Sequence, residues 1–507
     1  MSTLSGALRR TSRLHGERPA VIDAEGTFTW RQFAGRVAGL ASVLQQRGVR
    51  RGTRFGVLAA NSFRQAELFH AAWWIGAVPV PLNTRLAPPE IRDALAAADC
   101  SWVATDSAHE PLLQTGDLSD WNEGRLMLGS ATLDAALAAA EPARRAELSD
   151  NEAALLLHTG GTAGRAKCVV LGHRQILANA LQVAFAWPSA EDDVALHVAP
   201  MFHSADLVMT SLMLRGAAHA WLAKFTPADL LRAIETYRVT VTMVVPTMLI
   251  MVLQSGLIER HDVNSLRRVL YGASPLSREW IARAMQALPN VAFTQGYGLT
   301  ETAPIVTMLD WPSHLAVLAE PASRPPSCGR TLPGVELRIV DEEGRDCSSE
   351  QPGEIVLRGP NVFSGYHCLP EADAHALRHG WFHTGDVGMV DEIGRLYILD
   401  RKKDMVNVGG EKVYSIEVEA VLMQHPAVAE AAVVGVPSVR FGEAVFAVVV
   451  CQPGASVTKK ALRAFCRNRL GAFKLPTDVA FVDALPKSAL GKVLKSDLKR
   501  AYSRASQ

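Results

Sequence analysis

Short apolar runs and amphipathic stretches alternate along most of the chain. Residues 54–60 read as a buried strand, an apolar run behind Arg54, 63–75 carry apolar positions at helical spacing, and 78–82 form another short run. The cycle recurs at 153–158 (strand), 173–186 (helix), 193–198 (strand), 229–237 (helix) and 239–245 (strand). Apolar runs of four to eight residues bounded by turn signals predict buried strands, and longer stretches of period 3.6 predict helices. Their alternation predicts an α/β architecture of mainly parallel sheets covered by helices. The charge-free stretch 239–258 is interrupted by Pro246, which predicts a strand, a turn and a core helix rather than a membrane span.

The pattern changes after Gly329. Short strands at 335–340, 353–358 and 395–399 are joined by turn-rich segments such as Asp341-Glu342-Glu343-Gly344, which predicts an antiparallel, barrel-like subdomain. A charged, Gly-rich stretch follows at 400–410. A compact α+β pattern then resumes, with a helix at 416–424, strands at 428–436 and 444–451, and a helix at 459–470. The expected division is a large N-terminal domain, 1–400, and a small C-terminal domain, 401–507.

Composition narrows the function classes. Of the 507 residues, 48% are hydrophobic and 20% charged, which excludes wholesale disorder and fibrous architecture. The net charge of +1 offers no global field for nucleic acid or an anionic membrane, so any anionic ligand must be held by local groups. Seven scattered cysteines without a CxxC pair argue against a disulfide framework and against structural zinc. The first twenty residues carry four Arg and one Glu but no apolar core of signal length, so the cytoplasm is the expected compartment.

Four segments carry candidate chemistry. In His158-Thr159-Gly160-Gly161-Thr162-Ala163-Gly164-Arg165-Ala166-Lys167, backbone N–H groups and hydroxyls can converge on a phosphate, with Lys167 adding charge. The spacing is not that of a Walker A loop, and a tight surface loop is the plain alternative. In Gln295-Gly296-Tyr297-Gly298-Leu299-Thr300-Glu301-Thr302, glycines flank an aromatic that could stack on a planar ligand. There Glu301 is an oxygen ligand suited to Mg²⁺, or Thr300 caps a strand-to-helix turn. Asp386 could hold a ribose diol, or pair with Arg401 as a structural ion pair. Lys492 stands near Lys487, Lys495 and Lys499, which together could be only the solvated face of a terminal helix.

In this order and spacing, the four segments resemble the adenylate-forming superfamily of acyl-CoA synthetases, 4-coumarate-CoA ligases, firefly luciferase and peptide-synthetase adenylation domains. Further matching stretches are Gly76-Ala77-Val78-Pro79-Val80-Pro81-Leu82-Asn83, Pro200-Met201-Phe202-His203, Tyr271-Gly272-Ala273-Ser274-Pro275-Leu276 and Asp400-Arg401-Lys402-Lys403-Asp404. The resemblance implies that Thr159, Gly160, Gly161, Thr162, Ala163, Gly164 and Lys167 cradle the β- and γ-phosphates of ATP. Gly272, Ala273 and Ser274 with Tyr297 would frame adenine, and Gln295, Gly296 and Gly298 would also bind ATP. Thr300 would approach the α-phosphate, Glu301 and Thr162 would serve Mg²⁺, and Asp386 and Arg401 would bind ribose. Lys492 would serve adenylation, Lys403 the hinge, and Gly409 and Gly410 the coenzyme A side. His203 would stand between the acyl pocket and the thiol entrance.

The implied reaction is ATP-dependent activation of a fatty or aromatic carboxylic acid to an acyl-adenylate, then transfer to coenzyme A. The expected ligands are the acid, ATP, Mg²⁺ and coenzyme A, in a monomer or homodimer without nucleic acid or a membrane span. The superfamily's loop usually reads Thr-Ser-Gly-Thr-Thr-Gly-x-Pro-Lys-Gly. Gly160, Ala163, Ala166 and Cys168 depart from it, which motivates a nucleotide-binding pseudoenzyme as an alternative. Transfer to a separate carrier protein is another, since no carrier domain follows Lys499. Asp206, three places after His203, either lines the acyl pocket and favours a hydroxyl or cationic substrate group, or caps a helix beginning at Leu207.

Overall fold

A computed structural model describes residues 2–122, 124–159, 167–274, 276–319, 325–487 and 493–503. Among these, the largest sheet runs in the order Arg330–Thr331, Thr307–Leu309, Ala292–Tyr297, Arg268–Gly272, Val241–Val244, Val194–His197, Ala218–Trp221, Pro19–Asp23, Gly26–Thr29. Its six central strands are parallel and its edges antiparallel. A second, wholly parallel sheet runs Val78–Pro81, Arg54–Leu58, Val103–Thr105, Leu126–Met127. The parallel strands are mostly apolar and buried, as in sheets covered by helices on both faces.

Local signals set the helix ends. Helix Phe63–Ile75 starts where the Ser62 side chain accepts from the Gln65 N–H, and it stops at Gly76, whose φ of 78° is left-handed. Its core face buries Phe63, Leu68 and Ala72, burial worth about 1.5–3 kcal/mol for each large side chain. Helix Pro246–Gln254 has Pro246 at its first turn, where the missing N–H costs nothing. Among the described residues no helix is long and apolar enough to cross a membrane.

The change of pattern after Gly329 corresponds to an antiparallel sheet of Glu336–Val340, Gly353–Arg358, Trp381–Val390, Leu377–Arg378 and Leu396–Arg401. The chain then turns, with Asp404 and Met405 N–H both donating to Arg401 O. It enters a sheet of Glu411–Val413, Val406–Val408, Gly442–Cys451, Val428–Ser438 and Asp478–Phe481. That sheet has its own cores. Val406, Val418, Leu422, Val449 and Leu462 pack on one face, and Val434, Val448, Leu485 and Leu498 on the other.

A buried polar knot ties this last sheet to the turn. Asp400 accepts from the backbone and hydroxyl of Ser415, Lys495 donates to the Ser415 hydroxyl, and Lys495 pairs with Glu419 at 2.7 Å. Burial works against the Lys495 ammonium, but Glu419 and Asp400 outweigh it and raise its pKa. Lys495 therefore does not belong to a solvated helix face. Lys487 and Lys499 are the outer members, paired with Glu430 and Glu443.

Candidate active site

The sheet architecture brings most of the described candidates together at the carboxyl ends of parallel strands, where open α/β sheets bind ligands. Gly160, Gly161, Thr162, Ala163, Gly164 and Lys492 lie outside the described residues. The flanks of the phosphate loop are described. Thr159 and Lys167 face each other across the antiparallel strands Ala153–Thr159 and Lys167–Gly172, and Thr159 Oγ1 donates to Lys167 O at 3.4 Å. The loop thus joins a hairpin and does not lead directly towards the helix at His173. The second strand escaped the sequence reading because Val169-Val170-Leu171 runs straight into helix His173–Ala186.

Strand Gly365–Tyr366 adds to the edge of that hairpin. Lys167 Nζ sits over the Tyr366 ring, 4.7 Å from its centroid, and Tyr366 Oη donates to Glu301 Oε1 at 2.9 Å. Burial raises the Glu301 pKa, while Tyr366, Arg401 and Lys167 pull it back. Tyr366 was not singled out from the sequence. A two-residue strand leaves no periodicity, and its only signal is a glycine–aromatic pair like Gly296-Tyr297.

Tyr297 ends strand Ala292–Tyr297 and donates its hydroxyl to Asp386 Oδ2 at 2.8 Å. Arg401 Nε reaches Asp386 Oδ1 at 2.8 Å. Asp386 and Arg401 face each other across antiparallel strands, so the ion pair anticipated as an alternative does form. An ionised carboxylate has about four lone-pair sites, so the pair leaves acceptor capacity for a diol. Burial, reinforced by Asp386, drives the Tyr297 phenol well above its ordinary value.

Two glycines here have no substitute. Gly272 lies opposite Gly296, and a Cβ on it would stand 2.4 Å from Gly296 O; one on Gly298 would stand 1.9 Å from Pro304 O. Ala273 is exposed with φ 70° and Ser274 is half-buried, leaving this strand end accessible. Gln295 Oε1 is buried without a hydrogen-bond partner.

The turn after Tyr297 corrects one expectation. Thr300 does not cap the short helix Thr300–Thr302; Leu299 holds the cap position, and the Thr302 hydroxyl accepts from its N–H at 2.9 Å. Thr300 Oγ1 instead lies 3.1 Å from Ser204 Oγ. That contact joins the nucleotide candidates to the segment of His203 and Asp206.

His203 precedes the 3₁₀ helix Ser204–Met209. Its Nε2 is buried without a partner, and burial together with Arg85 holds its pKa down to about 4, so the ring is neutral. Asp206 is not a cap, because the helix begins at Ser204 rather than Leu207. Its Oδ1 lies 2.7 Å from His197 Nδ1, and His197 Nε2 lies 2.9 Å from His219 Nδ1. Asp206 Oδ2 has no hydrogen-bond partner among the described residues. The far nitrogen of the chain, His219 Nε2, is also unpartnered, and burial holds that ring neutral. The sequence could not show this pairing, because strands Val194–His197 and Ala218–Trp221 bring His197 and His219 together across a register.

Lys403 lies in the turn after Arg401, where burial lowers its pKa while Asp404 acts the other way. Gly409 and Gly410, with φ of 62° and 96°, turn the hairpin between Val406–Val408 and Glu411–Val413. Their hairpin is held by Gly409 N–H to Phe441 O at 2.9 Å and by Lys412 to Glu342 at 2.6 Å.

The family profile described as AMP-binding enzyme matches residues 8–367, and that of the AMP-binding enzyme C-terminal domain matches 417–492. The chain belongs to the AMP-binding enzyme family. It is 36% identical over 496 residues to a feruloyl-CoA synthase of an Amycolatopsis species, covering 97% of this chain and 98% of that one. It is 34% identical over 511 residues to the 2-succinylbenzoate–CoA ligase of Geobacillus kaustophilus, covering 100% of both. Its fold matches that of ATP-bound MatB from Rhodopseudomonas palustris with a TM-score of 0.90 at 30% identity, covering 99% of this chain and 100% of that one. The family member described here is an ATP-dependent, AMP-forming acid–CoA ligase of the adenylate-forming fold.

Proposed function

We propose that this ligase activates an aromatic carboxylic acid bearing a hydrogen-bonding substituent, and that Asp206 reads that substituent. The observation that carries the reading is the Ser204–Thr300 contact. It sets the His203–Asp206 turn against the segment assigned to the α-phosphate, with an unpartnered carboxylate oxygen two residues beyond. A plain alkyl tail would desolvate that carboxylate at a cost of several kcal/mol. A hydroxyl or amine would satisfy it. The names of the relatives, a feruloyl-CoA synthase and a 2-succinylbenzoate–CoA ligase, support an aromatic acid.

The residue roles follow from the charge problem. The acid's carboxylate oxygen bonds to the α-phosphorus as the bond from that phosphorus to the bridging oxygen breaks, and pyrophosphate leaves. Two anions must therefore approach. A like-charged pair about 4 Å apart repels by about 4 kcal/mol at an effective dielectric of 20. Lys167 and Lys492 offset this repulsion, with Thr159, Gly160, Gly161, Thr162, Ala163 and Gly164 cradling the outer phosphates. Tyr297 and the Gly272-Ala273-Ser274 strand end frame adenine, and Asp386, oriented by Arg401, takes the ribose diol. Glu301 fits a role as oxygen ligand for Mg²⁺, since Tyr366 occupies only one of its carboxylate oxygens and Lys167, at the phosphate loop, lies over that Tyr366 ring, and Thr162 would join it. Bound there, the ion would neutralise phosphate charge.

In the second half-reaction the thiol sulfur of coenzyme A bonds to the acyl carbon, its proton is released and AMP leaves. The neutral His203, with its unpartnered nitrogen, would orient the acyl group between the two reactants. The 1–400 domain holds ATP and acid, and the 401–507 domain pivots at Lys403 to exchange Lys492 for the Gly409-Gly410 face.

The test is incubation with ATP, Mg²⁺, coenzyme A and a panel of acids. Pyrophosphate release and thioester should both peak with hydroxylated aromatic acids. A preference for plain fatty acids would reject the substrate class. Pyrophosphate without thioester would favour a carrier-protein acceptor, and neither product a pseudoenzyme.

A further inference from the structure

Beside the nucleotide cluster, just past Tyr366, the fold brings three different metal-ligand types to one point on the surface. Asp99 lies two residues beyond helix Pro88–Ala97, and His367 and Cys368 directly follow strand Gly365–Tyr366. They are 268 residues apart in the chain, yet His367 Nε2 lies 2.9 Å from Asp99 Oδ2 and 3.6 Å from Cys368 Sγ. One donor atom from each lies within 4.8 Å of the other two.

Small side-chain movements would bring these donors to a particular coordination geometry. Zinc binds nitrogen and oxygen at about 2.0–2.2 Å and thiolate sulfur at about 2.3 Å, so neighbouring donors in a tetrahedral site stand about 3.3–3.6 Å apart. The edges of the Asp99–His367–Cys368 triangle bracket that range. We propose that Asp99, His367 and Cys368 form a binding site for a borderline-soft divalent ion of the zinc class, with a fourth position open to water.

The donor set argues against the ion of the ATP reaction. A thiolate and an imidazole disfavour Mg²⁺, which requires oxygen ligands. Asp99 and Cys368 are exposed and His367 half-buried, so an ion can enter from solvent. One group opposes binding. Arg54 Nη2 lies 3.3 Å from Asp99 Oδ2, but Arg54 Nε is already held by Ala98 O at 2.8 Å. The guanidinium can keep that anchor while Asp99 turns an oxygen to the metal.

Occupancy would reach the active site through one hydrogen bond. His367 N–H donates to Cys168 O at 2.8 Å, and Cys168 directly follows Lys167 on the strand that leaves the phosphate loop. A bound ion would pin that strand to the end of helix Pro88–Ala97.

Cobalt titration of the full-length protein without ATP tests this directly. Co²⁺ should bind at one equivalent with a sulfur-to-cobalt charge-transfer band in the near ultraviolet and tetrahedral bands in the visible, both removed by Zn²⁺. Cys368→Ser should abolish the charge-transfer band. Asp99→Asn and His367→Gln should weaken binding at least about tenfold, since even outer-shell partners of metal ligands cost that much. Cys347→Ser, at another thiol outside the cluster, should change nothing. Absence of the band in the parent protein, or its survival in Cys368→Ser, would overturn the assignment. Should Cys368→Ser fail to fold, a full-strength band in both His367→Gln and Asp99→Asn would overturn it equally.

Discussion

The nucleotide cluster and the His203–Asp206 turn touch through Thr300 and Ser204, yet they treat buried polar groups in opposite ways. Around Tyr297 the charged and phenolic groups satisfy one another, although Gln295 Oε1 is buried without a partner. The Tyr297 hydroxyl and Arg401 share the two oxygens of Asp386, and Tyr366 occupies Glu301. Around Asp206 the network is left open. His203 Nε2, His219 Nε2 and Trp221 Nε1 are buried without a partner, and Asp206 Oδ2, on a side chain that keeps some exposure, has none among the described residues. An unpaired buried polar atom costs about 1–3 kcal/mol, so the open network stores an unmet demand that a ligand can meet. A constant ligand, ATP, suits a site whose charged groups are already paired. A selected ligand, the acid, is best read by groups that only the right molecule completes.

Lys492 serves both substrates in the proposed reaction, so its loss should have the largest effect and be blind to the acid. Lys492→Ala should lower acyl-adenylate formation by orders of magnitude for every acid, while thioester formation from supplied acyl-adenylate persists. Single-turnover assays of each half-reaction check this. Equal damage to both would break the division of labour between them.

Asp386→Ala should come next and should act on the nucleotide side alone. It strands Arg401 and the Tyr297 hydroxyl and removes the ribose acceptor. Two charge-assisted hydrogen bonds of about 1.5–3 kcal/mol each predict a KM for ATP raised by about 100-fold or more. Stability should fall by about 3 kcal/mol, the lower end for breaking a buried pair, because Arg401 stays partly solvated. Acid ranking should be unchanged.

Acid titration should expose the cost of keeping imidazoles neutral on the acid side. Burial lowers His70, which lies beside His219, to about 3, and lowers His203 to about 4; His173, elsewhere in the core, is also lowered to about 4. Unfolded imidazoles protonate below about 6.5, so between there and about 4 the unfolded chain binds more protons. The neutral-histidine contribution is therefore complete above pH 6.5 and is lost as pH falls towards 4. With three such groups the loss is about 3 kcal/mol between pH 6 and pH 5. Denaturant midpoints at pH 7, 6 and 5 measure it. A flat profile would mean that these rings are protonated when folded.

Much of this division was legible in the sequence, and the exceptions share a cause. Strands such as 54–58 and 241–244 announce themselves because both faces are buried, although the runs read at 54–60 and 239–245 extend one or two residues beyond the strands. Tyr297, Glu301 and Asp386 stood out because glycines, hydroxyls and carboxylates cluster locally around them. Tyr366, His197 and His219 did not, because each acts through a partner at least nine residues away along the chain. A lone histidine within an apolar strand resembles any core residue until sheet register supplies its neighbour. Asp206 was noticed as chemically odd, but its partner His197 was out of reach of local pattern.

The central claim is that ATP and acid are read by separate groups, and paired variants with matched acids test it most directly. The measurement is kcat/KM for a hydroxylated aromatic acid and its unsubstituted analogue, at varied ATP, in the parent, Asp206→Asn and Tyr297→Phe. Asp206→Asn should shift the ratio of the two acids about tenfold or more towards the unsubstituted one, since a charge-assisted hydrogen bond is worth ~1.5–3 kcal/mol, and should leave the KM for ATP in place. Tyr297→Phe, which removes a hydrogen bond to the Asp386 carboxylate, should raise the KM for ATP by about tenfold or more, the value of one hydrogen bond to a charged group, and leave the acid ratio untouched. An acid ratio unchanged by Asp206→Asn, or shifted equally by Tyr297→Phe, would contradict the account.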